Sequence, residues 1–305
     1  MFNGIITPMV TPLQSDNLSL DIANTNKLIN HIISGGVHGL FILGTTGEAT
    51  SLSYKTRIQL INEACNIVNN RIPVFVGISD TTIEESVHLA EIAKEAGAKA
   101  VVAAPPFYYG LGQIELYKYY CRLADQLPLP LFLYNMPSHT KINIEIDTVL
   151  KLAQHDNIIG LKDSSANIVY YQKLCYLLKN IDNFSLLVGP EEVTSQTVIM
   201  GGHGGVNGGS NMFPKLYVQL YKATLARDFE RVHELQSLVM EVSTKIYNLG
   251  SFGSSYLKGM KAGLFTLNLI EHNIAPPFDC FDEKEMTAIA TNIKALKSKI
   301  DSALS

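Results

Sequence analysis

Charge is scarce in this chain. Asp, Glu, Lys and Arg make up 17% of its 305 residues, the formal net charge is −4, and no stretch gathers basic residues or interleaves arginine with aromatics. A nucleic-acid backbone is gripped by many cations, so a nucleic-acid partner is excluded, and the mild acidity offers nothing to an anionic membrane surface. Apolar runs are short as well. Eighteen apolar residues never follow one another, and Met1 leads almost at once into a strand-like run without a basic and apolar leader, so the expectation is a cytoplasmic protein with no membrane span. The four cysteines, Cys65, Cys121, Cys175 and Cys280, lie far apart and mostly inside apolar helical patterns. That excludes a disulfide frame and a CxxC site, and reads as small core hydrophobes in a reducing compartment. The eight histidines form no HxH, HxxxH or HExxH pair, no GxSxG follows a strand, and no nucleotide fingerprint follows the first strand. Neither a metal nor a nucleotide cofactor is therefore expected, and a Ser-His-Asp hydrolase is unsupported.

Hydrophobic residues, at 47%, suffice for a large core. They are arranged in an alternation of buried strands and amphipathic helices with a repeat near 30 residues. Strands are predicted over 4–10, 39–43, 73–78, 99–104, 130–134, 158–162, 184–188 and 203–206. Between them the helical spacing predicts helices such as 54–69, 82–96, 114–126 and 167–178. Eight strands, each followed by a helix, is the count of an α/β (β/α)8 TIM barrel. From about Arg227 the pattern is wholly helical, over 229–249, 254–264 and 283–303, so residues 1–226 read as the barrel and residues 227–305 as a C-terminal helical extension that helps assembly.

The run Asn157-Ile158-Ile159-Gly160-Leu161-Lys162 ends an apolar strand in an ammonium. Only about 0.04% of a free lysine is neutral amine at pH 7, and desolvation penalises the charged form, which is how an apolar wall turns a lysine into a nucleophile for carbonyls. The competing reading is a lysine whose head reaches water along its apolar stem. Tyr134 ends the preceding strand, so a phenol able to carry protons would stand at the level of the amine. Gly44-Thr45-Thr46-Gly47-Glu48, closing the second strand, offers amides and hydroxyls that grip a carboxylate or relay a proton, or else simply forms a turn and a helix cap. The glycine-rich stretch 201–210 matches no phosphate cradle and reads as backbone that comes close to a ligand.

Taken together, Gly44-Thr45-Thr46-Gly47-Glu48, Tyr134-Asn135-Met136-Pro137 and Gly160-Leu161-Lys162-Asp163 resemble the dihydrodipicolinate synthase and N-acetylneuraminate lyase family of class I aldolases. The resemblance implies a (β/α)8 barrel, commonly a homotetramer, with a pyruvate Schiff base on Lys162 and Tyr134 as proton carrier. Thr45 and Thr46 would hold the pyruvate carboxylate, and Tyr108 would complete the relay from a neighbouring subunit. Val206 of the eighth strand, and the loop bearing Gly189, Glu191 and Glu192, would face the aldehyde. Synthases of the lysine pathway usually carry an arginine where this chain has His139, and Lys-Glu-Ala-Thr where it has Lys162-Asp163-Ser164-Ser165; the Lys-Phe-Thr of sialic acid lyases is also absent. The expectation is aldol cleavage of a 2-keto-3-deoxy sugar acid to pyruvate and an aldehyde, with Ser164, Glu191, Glu192 and Ser210 as hydroxyl partners and His139 at the far end. The alternatives are the synthase, which condenses pyruvate with aspartate semialdehyde, an N-acetylneuraminate lyase or sugar-acid dehydratase, and a silent barrel that only binds a 2-oxo acid.

Overall fold

The computed structural model describes residues 1–305. Its strands are β1 (Gly4–Pro8), β2 (Gly39–Ile42), β3 (Val74–Gly77), β4 (Ala100–Ala103), β5 (Leu131–Asn135), β6 (Ile158–Asp163), β7 (Ser185–Val188) and β8 (Gly204–Val206). All pair in parallel with their neighbours, and β8 returns to β1 through Gly4↔Gly204 and Ile6↔Val206, so the sheet closes into a barrel. The helices that follow the strands are α1 (Ile22–Ser34), α2 (Tyr54–Val68), α3 (Ile83–Ala96), α4 (Gln113–Gln126), α5 (Ile146–Leu152), α6 (Ile168–Leu178), α7 (Thr194–Ile199) and α8 (Pro214–Ala226). Several start on a polar cap that satisfies a free backbone N–H: Asp21 receives Asn24 N, Ser53 receives Thr56 N, and Asn167 receives Tyr170 N.

Strands buried on both faces explain the near-continuous apolar runs. Their outward residues pack on the helices, while Phe41, Phe75, Phe132, Tyr134, Val206 and Leu187 are among those that fill the barrel interior. Phe2 plugs the bottom, with its ring 4.8 Å from that of Phe75, and Phe75 stands edge-on to Phe132 at 5.6 Å. Gly160 faces Phe132 across the β5/β6 register, and a Cβ there would lie 2.3 Å from that ring, so glycine is required for Phe132 to occupy the interior. Closure has a similar demand: a Cβ on Gly204, at φ 150°, would lie 2.0 Å from the Gly4 carbonyl. Elsewhere in the glycine-rich segment Gly208 and Gly209 likewise pack directly on the hydroxyls of Tyr256 and Tyr217.

Three further helices follow, α9 (Phe229–Val242), α10 (Ser255–Thr266) and α11 (Glu283–Ala303). The stretch read as one helix to residue 249 changes at Ser243–Tyr247 into a π-helical turn, which re-aims Ser243 and Tyr247 toward the top of the barrel. No helix is long and apolar enough to cross a membrane.

Candidate active site

The register of β5 and β6 pairs Tyr134 with Lys162, one residue before each strand ends. Paired residues of parallel strands point to the same face, so both side chains enter the barrel at one level. The Lys162 Nζ lies 3.9 Å from the centre of the Tyr134 ring and 5.1 Å from that of Phe41. Both residues are buried, the lysine 6% exposed. Just beyond the pair, Asn135 Nδ2 donates to Asp163 Oδ1 at 2.9 Å and to Asn143 Oδ1 at 3.0 Å, while Asn135 Oδ1 accepts from Ile144 N. These bonds lock the strand ends and explain a buried carboxyl next to the lysine; burial raises the Asp163 pKa against the bonds from Asn135 and Ser165.

The Tyr134 hydroxyl is 3.1 Å from Thr45 Oγ1. Burial pushes the phenol up, but the neighbouring Lys162 ammonium and the hydrogen bonds of Thr45, Lys162 and Ser164 outweigh it, leaving the phenol below the ordinary tyrosine value. A phenol so placed is ionised to a larger fraction at a given pH than an isolated one, and gives up its proton more readily. The loop that carries Thr45 turns through two non-glycine residues in the left-handed region, Leu43 at φ 57° and Glu48 at φ 59°. Thr46 is buried, and its Oγ1 lies 3.1 Å from the Tyr256 hydroxyl of α10. Thr11 Oγ1 donates to the Gly47 carbonyl at 2.6 Å and ties the loop to the end of β1.

Above this floor opens a cavity of about 720 Å³. Thr45, Tyr134 and His139 line it, His139 being set on the rim by the single helical turn Pro137–Thr140, where its Nδ1 meets Ser138 Oγ at 2.9 Å. Burial, then the charges of Lys141 and Lys162, hold the His139 pKa below that of an ordinary histidine. The far wall is apolar and comes from Phe107, Met136, Phe252, Leu257 and Phe278, with no arginine among the lining residues. Sequence reasoning did not reach Tyr256, Phe252 or Phe278. They lie in the region read as an appendage, and no periodicity marks which of its residues bend over the barrel mouth.

Ser164, Gly189 and Val206 surround the floor: Val206 shares the interior cluster with Tyr134, and Gly189 packs against Ser164 Oγ, its N–H donating to the Asp163 carbonyl at 2.7 Å. Two expected substrate partners are bonded within the protein itself. Ser210 is wholly buried at the β1/β8 seam, its hydroxyl shared between Thr7 Oγ1 at 2.8 Å and the Asn207 carbonyl at 2.5 Å. Glu191 is buried and saturated with donors, accepting from Gly209 N at 2.8 Å, from Tyr247 OH at 2.8 Å and from Tyr217 OH. Burial raises the Glu191 pKa to about 7 against those bonds. Glu192 is likewise engaged, by Ser243 Oγ. Tyr108 does not reach its own chain's cavity; it is 79% exposed and stacks edge-on to Tyr109 at 5.1 Å. No three His, Cys, Asp or Glu side chains converge as metal ligands.

The sequence model of the dihydrodipicolinate synthetase family matches residues 1–296. A 4-hydroxy-tetrahydrodipicolinate synthase of Methanoculleus marisnigri is 33% identical over 276 residues, 89% of this chain and 94% of that protein. A putative 2-dehydro-3-deoxy-D-gluconate aldolase of Escherichia coli, YagE, is 29% identical over 97% of this chain and 98% of its own. Among solved structures, dihydrodipicolinate synthase from Bacteroides thetaiotaomicron superposes with a TM-score of 0.93 at 51% identity, covering 96% of this chain and 98% of that one. YagE in complex with pyruvate superposes at 0.92 and 28%, covering 97% and 99%.

Proposed function

This chain belongs to the dihydrodipicolinate synthetase family, and from that premise we propose that it is a pyruvate-dependent class I aldolase acting through an imine on Lys162. The observation that carries the reading is the β5/β6 register, which stacks the amine on the ring of the one phenol that could serve it. In this reading the neutral Lys162 amine attacks C2 of pyruvate, and the carbinolamine loses its hydroxyl as water to leave a protonated imine. A proton then leaves C3, and the enamine carbon adds to the aldehyde carbon, whose oxygen takes up a proton. Water finally adds to the imine and frees the lysine. Tyr134, with Thr45 within hydrogen-bonding distance, moves these protons, and the Thr45–Thr46 loop receives the pyruvate carboxylate. Tyr108 completes the relay from a neighbouring subunit of a homotetramer, a role supported by its exposure and its distance from its own cavity.

The preferred aldehyde is neutral and hydroxylated, so the favoured reaction is reversible cleavage of a 2-keto-3-deoxy sugar acid. Support comes from a cavity wall with no arginine and with Ser51, Ser79 and Ser138 among its lining residues. Ser164, Gly189, Val206 and His139 surround the aldehyde end. The similarity to YagE, named as a 2-dehydro-3-deoxy-D-gluconate aldolase, agrees with this. The 51% identity to a structure described as dihydrodipicolinate synthase favours a second reading, condensation with aspartate semialdehyde. We place the division of labour at 226/227, where α8 ends on the left-handed Arg227, φ 57°, and the protein in the cytoplasm, in keeping with four free thiols. Incubation with pyruvate and borohydride is expected to fix the keto acid on Lys162 as a secondary amine found by peptide mass mapping. No adduct, or one on another residue, would remove the Schiff-base mechanism.

A further inference from the structure

Glu48 occupies a left-handed backbone position, φ 59°, that suits glycine and is strained for another L-residue. It nevertheless carries a wholly buried carboxylate, and burying a charge is costly unless it is well paired. Its partner is Lys261 of α10, equally inaccessible, which forms an ion pair with Glu48 Oε2. Glu48 Oε1 accepts from Ala275 N at 2.8 Å, and Lys261 Nζ donates to the Asn273 carbonyl at 2.7 Å. Tyr256, five residues earlier on the same helix, meets Thr46. Helix α10 therefore holds the threonine loop at two points. On the other side the loop is pressed on β3, where a Cβ at Gly77 would lie 2.0 Å from the Leu43 carbonyl. Side chains of this expense are retained on a strained loop when its geometry matters.

We propose that Glu48 and Lys261 are positioning residues for the reaction at Lys162: their ion pair sets the loop so that Thr45 reaches the Tyr134 phenol and the loop amides and hydroxyls meet the pyruvate carboxylate. Neither side chain touches substrate. Helix α10 is thereby part of the catalytic apparatus. This rests on the aldolase reading, and the test separates the two.

The full-length protein is compared with Glu48→Gln/Lys261→Met, which removes both charges at similar volume and leaves neither stranded. Glu48→Gln alone serves where the double variant does not fold, since it keeps an acceptor for Ala275 N and Lys261 can shed its proton. The control is Leu296→Ala on α11, a core truncation outside both the loop and α10. Labelling of wild type at Lys162 by pyruvate and borohydride tests the aldolase reading itself, and its absence removes the premise of both. Given labelling, the folded charge-deleted variant is expected to need about ten- to a hundredfold more pyruvate for half-maximal adduct, with kcat lower by about tenfold. Leu296→Ala lowers Tm yet leaves both quantities within about twofold, and Lys261→Arg, which keeps the charge, recovers most of the pyruvate affinity. Half-labelling and kcat unchanged in the folded charge-deleted variant, or equal losses in Leu296→Ala, would overturn the positioning role.

Discussion

The imidazole of His139 stands on the cavity rim, held below its usual pKa by burial and by the charges of Lys141 and Lys162, so it is neutral at pH 7. A carboxylate at the far end of a substrate is best held by a guanidinium, which makes two parallel charge-assisted bonds; neutral histidine makes one ordinary bond. The difference of about 1.5–3 kcal/mol amounts to roughly ten- to a hundredfold in binding. At saturating pyruvate, kcat/KM is accordingly expected to be higher for glyceraldehyde than for aspartate semialdehyde, and His139→Arg to shift the ratio toward the semialdehyde by about tenfold. A wild-type preference for the semialdehyde would instead install the synthase. The residues of the floor were legible because strand chemistry is local: an apolar run ending in lysine, and a tyrosine ending the strand before it, need only the parallel register to meet. The internal bonds of Ser210 and Glu191 were not legible, because neither the glycine-rich segment nor the turn after β7 has a period to say which way a side chain points.

Among the elements, the turn after β7 and the π-helical turn Ser243–Tyr247 form a clamp, Glu191 receiving Tyr217 and Tyr247 while Glu192 receives Ser243. Burial raises the Glu191 pKa from 4.5 to about 7. A carboxyl raised on folding binds more protons in the native state than in the unfolded one between those values, so its contribution is complete below about 4.5 and is lost as pH rises through about 7. At 1.36 kcal/mol per unit this is a loss of about 3 kcal/mol. Urea unfolding of wild type is therefore expected to show stability falling between about pH 4.5 and 7 more steeply than in Glu191→Gln, whose curve is flatter by up to that amount. Parallel curves would show that the clamp does not titrate in this range. The helix pattern over 229–249 is continuous in the sequence and concealed this turn: a π-turn shifts the face by one residue, which no 3.6-residue period announces.

For the molecule as a whole, Tyr108 and Tyr109 stand exposed and stacked edge-on to each other. If Tyr108 serves a neighbour's site, mixing two impaired variants, Tyr108→Phe and Lys162→Ala, and allowing subunits to exchange is expected to restore about a quarter of wild-type activity, since half the pairs are mixed and each mixed pair has one intact site. Activity that stays at the sum of the two variants would place the relay within one chain. The barrel was legible from its eight-fold alternation, yet the extension was read only as an appendage, because the contacts of Tyr256 and Lys261 link residues more than 200 positions apart and leave no local trace. That separation also orders events during synthesis. The threonine loop leaves the ribosome early, but the counter-charge for Glu48 follows 213 residues later, roughly 10 to 40 s behind at common elongation rates. Until it arrives Glu48 has no counter-charge, so under the positioning role proposed for the pair the threonine loop reaches its final setting only when the chain is almost fully made.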